Sequence, residues 1–138
     1  MSRFYVTTAI DYANGEPHLG HAFEKIGTDV MARYMRLAGR DVHFLTGMDE
    51  HGQKVAQTAS ARGVSPQEFV DGIAAIFQAM WARLSISYDQ FIRTTDPAHK
   101  AGVRALIKRI QDASPDDYYE KSYEGWYCVG CELFKRDD

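Results

Sequence analysis

Short runs of aromatic and β-branched residues alternate with amphipathic stretches along this chain, and that alternation constrains its fold more than any other feature. Phe4 to Ile10 reads as a buried strand. It breaks at Asn14-Gly15-Glu16-Pro17, a cluster of turn formers. From Leu19 onward Phe23, Ile26, Val30, Tyr34 and Leu37 recur at helical spacing, with Gly39 placed as a C-terminal cap. Val42 to Thr46 is a second strand, ended by Gly47, and a polar helix follows from about His51 to Arg62. Ser65-Pro66-Gln67-Glu68 reads as a capping box. The helix it opens carries Phe69, Ile73, Ile76, Phe77, Met80 and Leu84 on one stripe. Phe91 to Thr94 is a third strand, and Asp96-Pro97 starts a helix expected to turn Val103, Leu106, Ile107 and Ile110 inward. Strands separated by helices pair in parallel through right-handed crossovers, so the expected fold is α/β, an open doubly wound parallel sheet. Three strands make only about half of such a sheet.

With 138 residues the chain is long enough for one ordinary domain. Apolar residues at 45% and charged residues at 25% exclude a disordered chain, and a net charge of −3 gives no general attraction to polyanions. No apolar stretch approaches the roughly 20 residues of a membrane helix, so no membrane partner is expected. Met1-Ser2-Arg3-Phe4-Tyr5-Val6 runs directly into strand-like sequence without a secretory leader, and a cytoplasmic location is the expectation. The composition says nothing of oligomeric state.

The segment richest in chemistry is Tyr12-Ala13-Asn14-Gly15-Glu16-Pro17-His18-Leu19-Gly20-His21, where the first strand gives way to the first helix. In α/β sheets ligands bind outside the carboxyl ends of strands. A helix N-terminus adds free N–H groups and a partial positive charge, which suits phosphate. Residues three apart share a helix face, so His18 and His21 can reach one ligand, and Gly20 lets a flat group approach the backbone. This arrangement suits attack on the α-phosphate of a nucleotide with pyrophosphate leaving, which needs positioning and hydrogen bonds more than covalent help. Taken alone, two histidines three apart are more often an incidental surface pair.

Four separated segments sharpen the reading. His18-Leu19-Gly20-His21 resembles the HIGH motif of class I aminoacyl-tRNA synthetases, and the longer run from Tyr12 resembles their methionyl branch. Gly47-Met48-Asp49-Glu50-His51-Gly52-Gln53-Lys54 is similar to a run that follows the second strand in bacterial members. Phe91-Ile92-Arg93-Thr94-Thr95-Asp96-Pro97 and Gly125-Trp126-Tyr127-Cys128-Val129-Gly130-Cys131-Glu132 resemble two more. The resemblance covers essentially the whole chain.

It implies a Rossmann-like catalytic domain of the class I synthetase type, its N-terminal half over residues 1–115, then the start of a zinc-knuckle connective-peptide insertion over 116–138. It implies an enzyme that joins methionine and ATP, with Mg2+, into methionyl-adenylate and transfers methionine to tRNA(Met). His18 and His21 would contact the ATP phosphates, Gly20 would lie near the adenine, and Glu24 near the nucleotide. Methionine would be held by Ala9, Ile10 and Tyr12, with Asp49 pairing its ammonium. Tyr12 as core packing and Asp49 as a helix N-cap are the plainer readings. Many relatives carry proline where Asp11 stands, which leaves the local backbone open.

Cys128 and Cys131 form C-x-x-C, half of the four-ligand set that structural Zn2+ normally takes. A redox pair is the weaker reading, because no helical pattern follows. The family's second ATP motif, a lysine-rich KMSKS loop, has no counterpart here, and tRNA contacts are expected from regions absent from the chain. Two alternatives stand beside the synthetase: a small H-x-G-H nucleotidyltransferase, and a fragment that binds ligand or zinc without turnover.

Overall fold

The computed structural model describes residues 2–135, which divide into two compact units between Lys100 and Ala101. The first unit is α/β. Its elements are β1 (Arg3–Thr7), β2 (Asp11–Tyr12), α1 (Leu19–Leu37), β3 (Asp41–Asp49), α2 (Gln53–Ala61), α3 (Pro66–Arg83) and β4 (Gln90–Arg93). β3 is central: β1 and β2 both pair with it on one side and β4 on the other, all parallel. The division from the second unit falls inside α4 (Pro97–Ala113) rather than after it.

The first strand is not the single run from Phe4 to Ile10 that its apolar character suggests. Thr7 pairs with Leu45 and Asp11 with Met48, so the chain advances one residue more than its partner between the two ladders. That extra residue is a bulge, a device that re-aims side chains at a strand end. Thr8 stays anchored, its hydroxyl 2.7 Å from that of Thr46, while Ala9 and Ile10 leave the ladder.

One face of the sheet is packed. Phe44, Thr46 and Met48 alternate inward on β3 and are buried with Phe69, Val70, Phe77 and Trp81 of α3. The other face carries the exposed Tyr5 and His43, whose rings stack at 5.8 Å. The order β1, β3, β4 explains this. Successive crossovers that step in one direction with one hand leave their helices on one face, and only a reversal of direction covers the other.

Helix α1 departs most from the sequence pattern. Its apolar stripe faces out, with Phe23 83% and Leu37 89% exposed, and the buried face holds Lys25, Asp29 and Ala32. α1 thus meets the sheet through ionic groups paired at once. Asp29 accepts hydrogen bonds from the Ser87 amide at 2.7 Å and from Arg33 at 2.6 Å. Burial raises the Asp29 pKa, but these bonds outweigh it and hold the carboxyl below its ordinary value of 3.8. A folded carboxyl more acidic than the unfolded one stabilises the fold fully above that ordinary value and stops doing so as the pH falls through the lower folded value. Asp29→Ala is therefore expected to cost about 2 kcal/mol at pH 7, by stranding the Ser87 donors. The difference from wild type should shrink below pH 3.8, as read by thermal unfolding across pH. A pH-independent difference would contradict the assignment.

Of the expected capping box, α3 shows the serine half: Ser65 Oγ accepts from Glu68 N–H at 3.2 Å, with Pro66 in the first turn. The buried stripe is shifted, however: Trp81 and Val70 go in, while Ile76 and Leu84 stay exposed. Gly47 permits the β3–β4 approach, because a Cβ there would sit 2.0 Å from the Ile92 carbonyl oxygen.

The second unit holds most of α4, a 3-10 turn (Pro115–Asp117) and a hairpin of β5 (Tyr127–Cys128) and β6 (Leu133–Phe134). Tyr123 and Tyr127 pack edge-on against Phe134, with ring centroids 4.9 and 5.1 Å away. Val103, Leu106, Ile107 and Ile110 of α4, expected inward, are exposed. A helical stripe is covered only when another element lies along it, and a short turn and a two-residue-per-strand hairpin offer too little surface. Among the described residues, no helix is long and apolar enough to cross a membrane.

Candidate active site

His18 is the N-cap of α1, with extended backbone at φ −131°, and its Nδ1 accepts from Gly20 N–H at 3.1 Å. His21 returns the favour: its Nδ1 accepts from His18 N–H at 3.2 Å. The two histidines are thus a reciprocal capping box, a role usually taken by Ser or Thr with Glu. This fixes their tautomers. With each Nδ1 accepting, a neutral imidazole carries its proton on Nε2, and each ring keeps one N–H donor for a ligand. The rings stack at 3.8 Å with 26° between planes. Gly20 is required beneath them, since a Cβ there would lie 2.9 Å from His18 Cε1.

His21 is backed by the edge of Phe77 at 5.4 Å, and its Nε2 lies 3.9 Å from Asp11 Oδ1. Burial lowers its pKa below 6.5; Asp11 opposes this, while His18 and Lys25 reinforce it. His21 is therefore a neutral imidazole at physiological pH. Glu24, one turn on, bonds to Ala9 N–H through Oε1 at 2.9 Å and to Lys25 through Oε2 at 2.9 Å. Burial raises its pKa, but these two partners outweigh it and the carboxyl is more acidic than usual. Glu24 is accordingly neither an idle surface carboxylate nor a free base.

The strand-end residues converge on the same region. Tyr12 pairs with Asp49 in register, and Ala13 N–H donates to Asp49 O at 2.9 Å. Asp49 is the last residue of β3 and not a helix cap, because α2 begins at Gln53 with Gly52 as its N-cap. Asp49 is half-buried there. Ala9 and Ile10 are exposed on the bulge. His18, Gly20, His21, Glu24 and the Ala9–Tyr12 strand end are thus gathered at the carboxyl end of the sheet, as the motif order suggests.

Sequence reasoning missed what holds the 49–52 loop. Glu50 is buried and receives Arg93 Nε at 2.6 Å and the Thr95 hydroxyl. Its own N–H donates to Thr94 Oγ1 at 3.0 Å, and Arg93 also reaches Asp71 Oδ1 at 2.6 Å. Two motif segments, whose paired residues Glu50 and Arg93 stand 43 positions apart, are therefore one ionic unit. Opposite charges in both motifs were a signal, but only pairing β3 with β4 joins them.

A concavity of about 620 Å3 lies at the other end of α1, lined by Arg33, Arg36 and Asp89 among others. It is no rival site: Arg36 is paired with Asp89 at 2.8 Å and Arg33 with Asp29.

Cys128 and Cys131 flank the β5–β6 turn, where Cys131 N–H donates to Cys128 O at 3.2 Å. The Cys128 thiol is held below its usual pKa, first by the hydrogen bond from the Cys131 side chain and then by backbone N–H groups. Thiolate character suits a metal, yet among the described residues no group of three or more donors forms. Two thiolates do not make a structural zinc site, and the zinc knuckle expected from the resemblance is not shown.

The family described as tRNA synthetases class I (M) matches residues 4–138. A methionine–tRNA ligase of Deinococcus radiodurans is 53% identical over 95% of this chain, and one of Rhizobium meliloti is 51% identical over 99%. The structure of Mycobacterium tuberculosis methionyl-tRNA synthetase in complex with methionyl-adenylate superposes with a TM-score of 0.92, at 48% identity over 99% of this chain. The chain spans only 19%, 26% and 26% of those three proteins respectively. With the family match running from Phe4 onward and half the residues identical to methionine–tRNA ligases throughout, the chain belongs to the class I (M) tRNA synthetases.

Proposed function

We propose that this chain supplies the HIGH-motif half of an active site that activates methionine with ATP and passes it to tRNA(Met). The reciprocal histidine cap carries the reading: it presents two imidazole donors at a helix N-terminus, beside the Tyr12–Asp49 strand end. In the reaction a methionine carboxylate oxygen attacks the α-phosphorus, and the bond to the bridging oxygen breaks to release pyrophosphate. His18 and His21 donate to phosphate oxygens through Nε2–H as their charge shifts. Gly20 admits the adenine and Glu24 lies along the nucleotide, which arrives as its Mg2+ complex. Ala9, Ile10 and Tyr12 receive the side chain of methionine, and Asp49 its ammonium.

The methionyl-adenylate named in the mycobacterial complex supports this reading, because its backbone and this one coincide closely. On the same reading residues 1–115 are the N-terminal half of a doubly wound catalytic domain. Further strands would reverse direction beside β1, and their crossover helices would cover the bare sheet face. Residues 116–138 begin a connective-peptide insertion whose remaining zinc donors lie elsewhere. The tRNA contacts belong to other regions, and the reaction's setting is the cytoplasm.

The test is methionine-dependent ATP–pyrophosphate exchange by the full-length enzyme carrying this segment. Asp49→Ala should raise the KM for methionine roughly 30-fold with kcat little changed, since a lost charge-assisted bond is worth about 2 kcal/mol. Exchange that does not depend on methionine, or an unaltered KM, would overturn the assignment.

A further inference from the structure

Lys25 is 0% exposed, an unusual place for an ammonium group on a helix whose apolar stripe faces solvent. Its Nζ donates to Ala9 O at 3.1 Å, Asp11 Oδ1 at 2.7 Å and Glu24 Oε2 at 2.9 Å, above the Trp81 ring at 5.9 Å. Ala9, displaced from the ladder by the bulge, is therefore satisfied on both sides by α1: its N–H by Glu24 and its carbonyl by Lys25. Asp11 is 4% exposed, and its Oδ2 is buried without a hydrogen-bond partner. Its Oδ1 serves Lys25 and stands 3.9 Å from His21 Nε2.

Burying an ammonium and a carboxylate carries a desolvation cost that an apolar pair would avoid. What the ionic pair does here is join three parts of the site: the bulge, the α1 carboxylate and the second histidine. We propose that Asp11 and Lys25 are positioning residues, which lock the bulged strand end to α1 and fix the charge and orientation of His21. This rests on the reading of His21 as a phosphate-facing donor. Every charged group near His21 enters: His18, Glu24 and Lys25 on α1, and Asp11 on β2, while α3 contributes the apolar Phe77 edge. Asp11 favours the imidazolium and Lys25 opposes it, so removing each must move His21 in opposite directions.

The test is an NMR titration of the histidines in the full-length enzyme carrying this segment, with His21 assigned by His21→Gln. Asp11→Asn should shift the His21 titration to lower pH and Lys25→Met to higher pH, with the double variant between them. Unmoved titration in folded variants would overturn the proposal. If Lys25→Met fails to fold by circular dichroism, Asp11→Asn decides alone: a downward shift supports the proposal and none refutes it. In the full-length enzyme Asp11→Asn should also lower kcat for exchange by roughly 10–100-fold, as expected for a misplaced group near the reacting atoms. An unchanged kcat would reduce the pair to a structural one. The titration needs no substrate, so its failure is separate from a failure of the methionine reading, which His21→Ala addresses by exchange.

Discussion

Replacing His18 or His21 with alanine in the full-length enzyme is expected to slow methionine-dependent ATP–pyrophosphate exchange by roughly 10²–10³-fold, the usual cost of one preorganised donor to a developing oxyanion. Each ring offers Nε2–H because its Nδ1 is occupied by the cap, so neither can be replaced by a group that merely fills space. The same bonds complicate the experiment, since losing an N-cap acceptor costs about 1 kcal/mol of helix stability. Conservative variants separate the two effects. Asparagine at 18 can still accept from Gly20 N–H, and glutamine at 21 can reach back to residue 18 as in an ordinary capping box. His18→Asn and His21→Gln should therefore regain stability without regaining exchange. Near-normal exchange in the alanine variants would sink the catalytic assignment. Activity restored in step with stability would show that the pair is only a cap.

The second large effect is expected at Arg93. Its guanidinium pairs with the buried Glu50 carboxylate at 2.6 Å. Arg93→Ala would leave that charge in a desolvated place, at about 3–5 kcal/mol, the cost of breaking a buried pair from one side. The contrast is internal. Asp71, the other partner of Arg93, is half exposed, and Asp71→Ala should cost less than about 1 kcal/mol. Changing both members of the buried pair, as in Glu50→Met with Arg93→Met, should recover much of the loss. Urea unfolding of the chain reads all three, and an Arg93→Ala effect no larger than that of Asp71→Ala would refute the account. Because Asp49 directly precedes Glu50, the same substitution should raise the KM for methionine in the full-length enzyme.

Local physics made much of this chain legible in its sequence. β-branched and aromatic runs announced β1, β3 and β4; Ser65-Pro66 announced α3; and Asn14-Gly15-Glu16-Pro17 separated strand from helix. The histidine pair and its place at a strand end followed from spacing alone. Periodicity misled where it reports only that a face is apolar and not what covers it. The stripe from Phe23 to Leu37 and that of α4 are both exposed, because covering a face needs an element that packs along it. The bulge after Thr7 could not be read either, since a strand's register depends on its partner and Leu45 and Met48 are distant in sequence.

The sequence by itself determined β1, β3, β4 and the helices between them, their parallel pairing and the residues gathered at the strand end. These depend on near neighbours and on the rule that strand, helix and strand wind one way. Only the tertiary structure decided that Lys25 goes inside and Phe23 outside, that Glu50 belongs to Arg93, and that His18 and His21 cap each other's helix end. Each of these is a choice of partner for a polar group. A buried charge is tolerated only where a complementary group is brought within hydrogen-bond distance, and that distance is set by the assembled fold.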